Sequence, residues 1–230
     1  FRVSGQKIFI TAGEHDLSDN IIHLVLAKLP DAPPGAKGIS LFLIPKILVN
    51  DDGSLGDRNG VTCVSIEEKM GVHGSPTCVL SFDNSVGYLV GEPHKGLEAM
   101  FSMMNNERIA VGMQGLGVAE ISYQNALLYA KDRLQGRDLK GAKKPSEEAD
   151  PLLVHPDIRR MLLRAKALID SSRMLSAWTA LAIDKSVKDP DEKVRKANHD
   201  LVELMTPIIK SILTDYGVEI SSEMLQIFGG

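Results

Sequence analysis

Four short stretches carry residues that could do chemistry. Glu107-Arg108 lies inside an apolar stretch of helical period, flanked by Asn105 and Asn106. An arginine on the buried side of a helix needs an anionic partner. That partner is either a carboxylate on the same or a neighbouring helix, or the phosphate or carbonyl of a ligand. Arg133 closes the same stretch, in Tyr129-Ala-Lys-Asp-Arg-Leu-Gln-Gly-Arg137. A cation near a helix C-terminus is favourable through the helix dipole alone. Arg133 with Arg137 could instead hold a pyrophosphate, which the planar guanidinium fork suits. His155-Pro-Asp-Ile-Arg-Arg160 reads as a helix start with solvated charges. Gln226-Ile-Phe-Gly-Gly230 reads as a helix ending in a glycine cap. Its backbone N–H groups could also approach a flat or anionic ligand.

Other chemistries find no support. No GxGxxG follows a strand and no P-loop is present, which argues against Rossmann and P-loop nucleotide binding. HExxH and Gly-x-Ser-x-Gly are absent, and Ser75 in Gly74-Ser-Pro reads as a turn residue. The six histidines are scattered, and Cys63 and Cys78 belong to no CxxC or Cys/His cluster, so a metal site is not expected. Both cysteines read as reduced, half-buried thiols. A net charge of -4 gives no basic excess for a nucleic-acid partner. No apolar run approaches the ~20 residues of a membrane span.

The elements that must position these residues change period along the chain. Up to about residue 90, strand-length apolar runs alternate with turn signals. The runs are 7–11, 21–27, 39–44, 61–65 and 77–82; the turn signals include Pro33-Pro-Gly35, Asp51-Asp-Gly53 and Arg58-Asn-Gly60. This predicts a β domain, sandwich- or barrel-like, over 1–92. From about 95, Met100, Met103, Met104, Leu116 and Ile121 fall on a helical stripe. Helices are expected from near Gly96 to Leu134, from near Pro156 to Val187, and over 191–226, with Pro207 kinking the last or marking a boundary. Residues 93–230 then form an antiparallel helical bundle, with a flexible polar loop over 136–153. Gly112, Gly115 and Gly117 inside the first helix imply close approach by another helix or by a ligand.

Taken together and in order, these pieces resemble the acyl-CoA dehydrogenases over nearly the whole chain. The carriers are Gly5-Gln-Lys-Ile-Phe-Ile-Thr-Ala-Gly13, Gly38-Ile-Ser-Leu-Phe-Leu-Ile-Pro45, Glu68-Lys-Met-Gly71 with Ser75, and Leu89-Val-Gly-Glu92 with Gly96. They continue through Glu107-Arg108 with Gly117-Val-Ala119, then Tyr129-Ala-Lys-Asp-Arg133, then Gln226-Ile-Phe-Gly-Gly230. Glu14-His-Asp-Leu-Ser-Asp-Asn20, Leu134-Gln-Gly-Arg137 and His155-Pro-Asp-Ile-Arg-Arg-Met-Leu162 are similar to the long bacterial form. That group includes 3-methylthiopropionyl-CoA and broad-range fatty acyl-CoA dehydrogenases.

The resemblance implies a central β domain, partial here, followed by a truncated C-terminal four-helix bundle. It implies FAD, an acyl-CoA substrate, an electron-transfer flavoprotein or equivalent acceptor, a homo-oligomer and a cytoplasmic location. The family reaction takes a proton from Cα of the thioester and passes a hydride from Cβ to flavin N5, giving a trans-2-enoyl-CoA. By motif position, Phe9 takes the aromatic place beside the flavin ring, and Thr11 the place at its N5 edge. Arg108 matches the arginine near the acyl-CoA site, and Arg133 the one reaching FAD phosphates across a subunit boundary. Gln226, Gly229 and Gly230 match the stretch that meets FAD from the partner subunit. The base is expected beyond Gly230; Glu107 is the alternative, but it adjoins the arginine position. Both ends look cut, and the isolated chain is expected to turn over no acyl-CoA. A flavin-binding relative without dehydrogenase activity, like the adaptive-response proteins, or an acyl-CoA oxidase would carry the same motifs.

Overall fold

The computed structural model describes all residues, 1–230, and the chain divides into two compact units, Phe1–Met103 and Met104–Gly230. The first unit holds eight strands: β1 (Arg2–Thr11), β2 (Ile22–Lys28), β3 (Ile39–Pro45), β4 (Ile47–Val49), β5 (Leu55–Arg58), β6 (Val61–Ile66), β7 (Thr77–Val86) and β8 (Tyr88–Val90). They form two antiparallel three-stranded sheets, in the orders β1-β7-β6 and β2-β3-β8, and a β4-β5 hairpin. Alternation sends Cys78, Leu80 and Phe82 of β7 inward, where they share one apolar cluster with Val25, Phe42 and Ile44 of the other sheet. Buried Asn59 ties strand ends together: its amide donates to the Pro45 and Val86 carbonyls, and its oxygen accepts the Val86 N–H. Each polar group of that side chain thus gains a partner that water would otherwise supply.

The five apolar runs named above lie in β1, β2, β3, β6 and β7. The short strands β4, β5 and β8 carry no such signal, because three or four residues give too few alternations to detect.

The second unit comprises most of α1 (Gly96–Asp132) with α2 (Pro156–Lys188) and α3 (Glu192–Ile227). Pro156 occupies the first turn of α2, where its missing N–H costs nothing. Asp191 caps α3 by accepting the Lys193 N–H at 2.8 Å. One core joins the helices, built on Leu116, Ala126, Leu162, Ile169, Ile209 and Leu213. α3 passes through Pro207 without interruption. The reason is positional: Pro207 is exposed, whereas Met205, Ile209 and Leu213 are buried on the packed face. The carbonyl that loses its N–H donor lies toward water, and the packed face holds the helix together.

The helical glycines separate into two kinds. A Cβ at Gly115 would lie 2.4 Å from the Leu213 carbonyl oxygen, and one at Gly217 would lie 2.9 Å from the Gly115 oxygen. Here α1 and α3 approach backbone to backbone. Gly112 faces Ile209, while Gly117 has nothing within 4 Å.

Candidate functional site

The first candidate surface is built on β1. Opposite β7, the β1 register runs from Lys7↔Leu80 to Ile10↔Cys78, so three steps on β1 face two on β7. This bulge contains Ile8 and Phe9. Phe9 has φ 58° and is 67% exposed. A bulky aromatic in the left-handed region is strained by roughly 1–2 kcal/mol, and strained residues of this kind cluster at functional sites. Thr11 follows at the strand end. It lines a cavity of about 410 Å³ with Ile10, Ile22, Leu24, Leu80 and Met100, between the edge strands β1 and β2. Those walls are largely apolar, and the volume is that of a small-molecule site. His23 also lines it; its Nε2 is buried without a hydrogen-bond partner, and burial pushes its pKa down, toward the neutral imidazole.

A second surface forms where α1 and α3 end together. Tyr129 of α1 stacks on Phe228 at a centroid distance of 4.5 Å. Arg133 follows Tyr129 by one turn, and its N–H donates to the Tyr129 carbonyl. The glycine turn follows Phe228. Gly229 and Gly230 have φ of 108° and 96°, and their N–H groups donate back to the carbonyls of Gln226 and Leu225. This double return is a Schellman cap, which requires the left-handed conformation that glycine adopts freely. Stacking therefore brings Arg133 to the same end of the helical unit as Gln226, Gly229 and Gly230, though about 95 residues separate them in sequence. The guanidinium of Arg133 makes no hydrogen bond or ion pair, and Gln226 is exposed.

Arg137 is not a second free cation. Its guanidinium donates to the carbonyls of Lys144 (3.0 Å) and Glu147 (2.5 Å) and reaches Asp150 Oδ1 at 3.4 Å. The pyrophosphate pair that sequence spacing allows is thus divided between a free Arg133 and an Arg137 committed to its own loop. That loop, polar and featureless by composition, is folded round Asp150, which is 0% exposed. The Asp150 carboxylate accepts the N–H groups of Asp138, Lys143 and Lys144. Burial raises its pKa, but these donors and Arg137 outweigh burial and hold it at about 2. His155 completes the loop, with Nε2 2.7 Å from the Gln135 carbonyl. Arg160 and Arg164 of the next turns bind Glu223, and Arg164 also binds Glu219, so this motif joins α2 to α3.

On α1, Arg108 is half-buried and donates to Asn105 Oδ1 at 3.4 Å, whereas Glu107 is exposed. His23 and Asp150 escaped the sequence reading. His23 sits in an ordinary strand pattern, and the only local signal at Asp150 is an Asp-Pro step, which marks a turn and nothing more.

Comparison with known proteins follows the same lines. A family model described as acyl-CoA dehydrogenase, C-terminal domain, matches residues 94–230. The chain is 48% identical over 230 residues to the 3-methylmercaptopropionyl-CoA dehydrogenase of Ruegeria pomeroyi, covering all of this chain and 38% of the relative. It is 38% identical over 237 residues to the broad-specificity linear acyl-CoA dehydrogenase FadE5 of Mycobacterium tuberculosis, covering 39% of that protein. Among solved structures, the butyryl-CoA dehydrogenase of Megasphaera elsdenii matches all of this chain and 50% of its own, with a TM-score of 0.73 and 28% identity. The Caenorhabditis elegans ACDH-11 structure in complex with C11-CoA shares the fold, with a TM-score of 0.81 at 23% identity over all of this chain and 35% of its own. The chain spans about two fifths of the length of these curated relatives. Since the family model covers more than half of its residues, the chain belongs to the acyl-CoA dehydrogenase family.

Proposed function

We propose that this chain is part of a longer FAD-dependent acyl-CoA dehydrogenase, which converts an acyl-CoA thioester to a trans-2-enoyl-CoA. The observation that carries this reading is that identity to named acyl-CoA dehydrogenases extends along the whole chain, through both units. The strand bearing Phe9, the helix bearing Arg108 and the Arg133 that follows it therefore belong to one inherited machine.

The residues present fit a flavin. Phe9 is an exposed ring on a strained bulge, Thr11 borders an apolar cavity, and Arg133 is an unpaired guanidinium at the same end of the helical unit as the glycine turn. Bound FAD supplies the acceptor for two electrons, a capacity no side chain here has. In this reading Phe9 covers the ring system, and Thr11 orients its edge through hydroxyl and backbone. Arg133, with Gln226, Gly229 and Gly230, holds the phosphates of a partner subunit's FAD. The planar guanidinium suits a phosphate, and the glycines, whose N–H groups are committed to the cap, leave room for close approach of the backbone. Arg108 binds the acyl-CoA. Polarising the thioester carbonyl lowers the Cα pKa, and fixed geometry removes an entropic barrier. The base lies outside these residues; Glu107, next to Arg108, is the weaker alternative. Electrons pass on to an electron-transfer flavoprotein or an equivalent acceptor.

We also place α1–α3 in an antiparallel four-helix bundle within a homo-oligomer. Val111, Met113, Ile121 and Leu128 of α1, with Leu204, Val218 and Leu225 of α3, are exposed apolar residues that the three-helix core leaves uncovered. A helix apolar on several faces is one that further partners cover. No helix is long and apolar enough to cross a membrane, and we place the enzyme in the cytoplasm. Steady-state reduction of an artificial electron acceptor by the whole protein, across acyl-CoA chain lengths, tests the activity. Turnover with at least one thioester is expected, and none with any would refute the reading.

A further inference from the structure

We propose that Asp150 is a positioning residue for Arg133, holding the end of α1 so that the Arg133 guanidinium is presented, unpaired, to an anionic ligand. This rests on the reading that Arg133 holds FAD phosphates. Residues 133–136 and 150–152 form a short antiparallel ladder. Gln135 N–H donates to the Asp150 carbonyl, Asp150 N–H to Gly136, and Leu152 N–H to Arg133, each at 2.9 Å, around a Leu134–Pro151 bridge. One strand of the ladder thus carries Arg133 and the other carries Asp150. The Asp150 side chain fixes the loop between them through three backbone N–H groups at 2.7–3.0 Å. A fully buried carboxylate is costly unless every lone pair is used, and here every donor it gathers comes from this one loop.

The choice of cation matters as much. Asp150 takes Arg137 as its partner, and Arg137 also closes onto the Lys144 and Glu147 carbonyls. The buried Asp150 carboxylate is therefore already answered by Arg137, and the Arg133 guanidinium is left for a ligand. Charge in the loop is nearly balanced: residues 131–150 hold Lys131, Arg133, Arg137, Lys140, Lys143 and Lys144 against Asp132, Asp138, Glu147, Glu148 and Asp150.

A double-mutant cycle on FAD affinity in the whole enzyme tests the inference, using Arg133→Gln, Asp150→Asn and the double variant. Each single variant should weaken FAD binding by about tenfold to hundredfold, the range for one hydrogen-bonded charge. The double variant should be no weaker than Arg133→Gln alone, because Asp150 acts through Arg133. If Arg133→Gln weakens binding and Asp150→Asn does not, the inference fails while the reading of Arg133 stands. If the two losses add, Asp150 acts independently of Arg133, and the inference also fails. Unchanged affinity in Arg133→Gln overturns the reading and the inference together. Should Asp150→Asn not fold, Arg137→Gln replaces it in the same cycle with the same deciding outcomes, since that side chain lies at the loop surface.

Discussion

Gly115→Ala is the sharpest test of how the helical unit is built. In a free helix this change stabilises by about 1 kcal/mol, because alanine fixes the backbone at lower entropic cost. Here the new methyl would lie 2.4 Å from the Leu213 carbonyl oxygen, 2.8 Å from its carbon and 2.9 Å from Thr214 Cα. The first contact falls about 1 Å inside ordinary van der Waals distance, and all three are backbone atoms of α3 that no rotamer change can move. The two helices must part. Parting them loosens Ile209 and Leu213, both buried in the core. Overpacking of this kind costs about 1–3 kcal/mol, which against a propensity gain of about 1 kcal/mol leaves a net loss of up to about 2 kcal/mol. For a unit of this size that lowers the melting midpoint by up to roughly 10 °C. Gly117→Ala is the matched control, because nothing lies within 4 Å of its Cβ position. It should raise the midpoint through propensity alone. Urea and thermal unfolding followed by helical circular dichroism measure both. A Gly115→Ala variant as stable as Gly117→Ala would refute the backbone contact between α1 and α3.

Four further outcomes follow from single residues. Phe9→Asn should stabilise the β unit by roughly 1 kcal/mol, because asparagine tolerates a positive φ, yet weaken flavin retention; thermal melts and flavin titration read the two effects. Thr179→Val should be neutral or stabilising by about 1 kcal/mol in a thermal melt, since the Thr179 hydroxyl is buried with no hydrogen-bond partner. The folded pKa of Asp150, about 2, lies below its ordinary 3.8, so its contribution is fully present above pH 3.8 and is lost as pH falls through 2. Melting midpoints taken through that interval should fall less steeply for Asp150→Asn than for the unaltered chain. Phe228→Ala removes the stack on Tyr129, which should cost about 1–2 kcal/mol for a half-exposed ring and speed hydrogen exchange at the Gly229 and Gly230 amides.

What the sequence made legible was whatever repeats along a local period. The apolar runs of β1, β2, β3, β6 and β7 alternate over enough residues to be seen, and the helix start at Pro156 carries its own chemistry. What it hid depends on distant partners. Pro207 reads as a break until the packing of Met205 and Ile209 shows that its lost hydrogen bond lies on the water side. Arg133 and Arg137 look equivalent until Asp150, thirteen residues beyond Arg137, takes one and leaves the other. The strain at Phe9 has no sequence signature, because the bulge arises from the offset between β1 and β7. The Tyr129–Phe228 stack joins two helix ends that no period connects.

The central claim is that these residues serve a flavin that takes electrons from acyl-CoA. Its most direct measurement is an anaerobic titration of the whole, flavin-loaded protein with acyl-CoA, followed by the visible flavin spectrum. Bleaching of the oxidised flavin band by at least one thioester, with a matching yield of 2-enoyl-CoA, is the predicted result. A flavin that stays oxidised with thioesters of every chain length, in protein shown to bind them, would contradict the account.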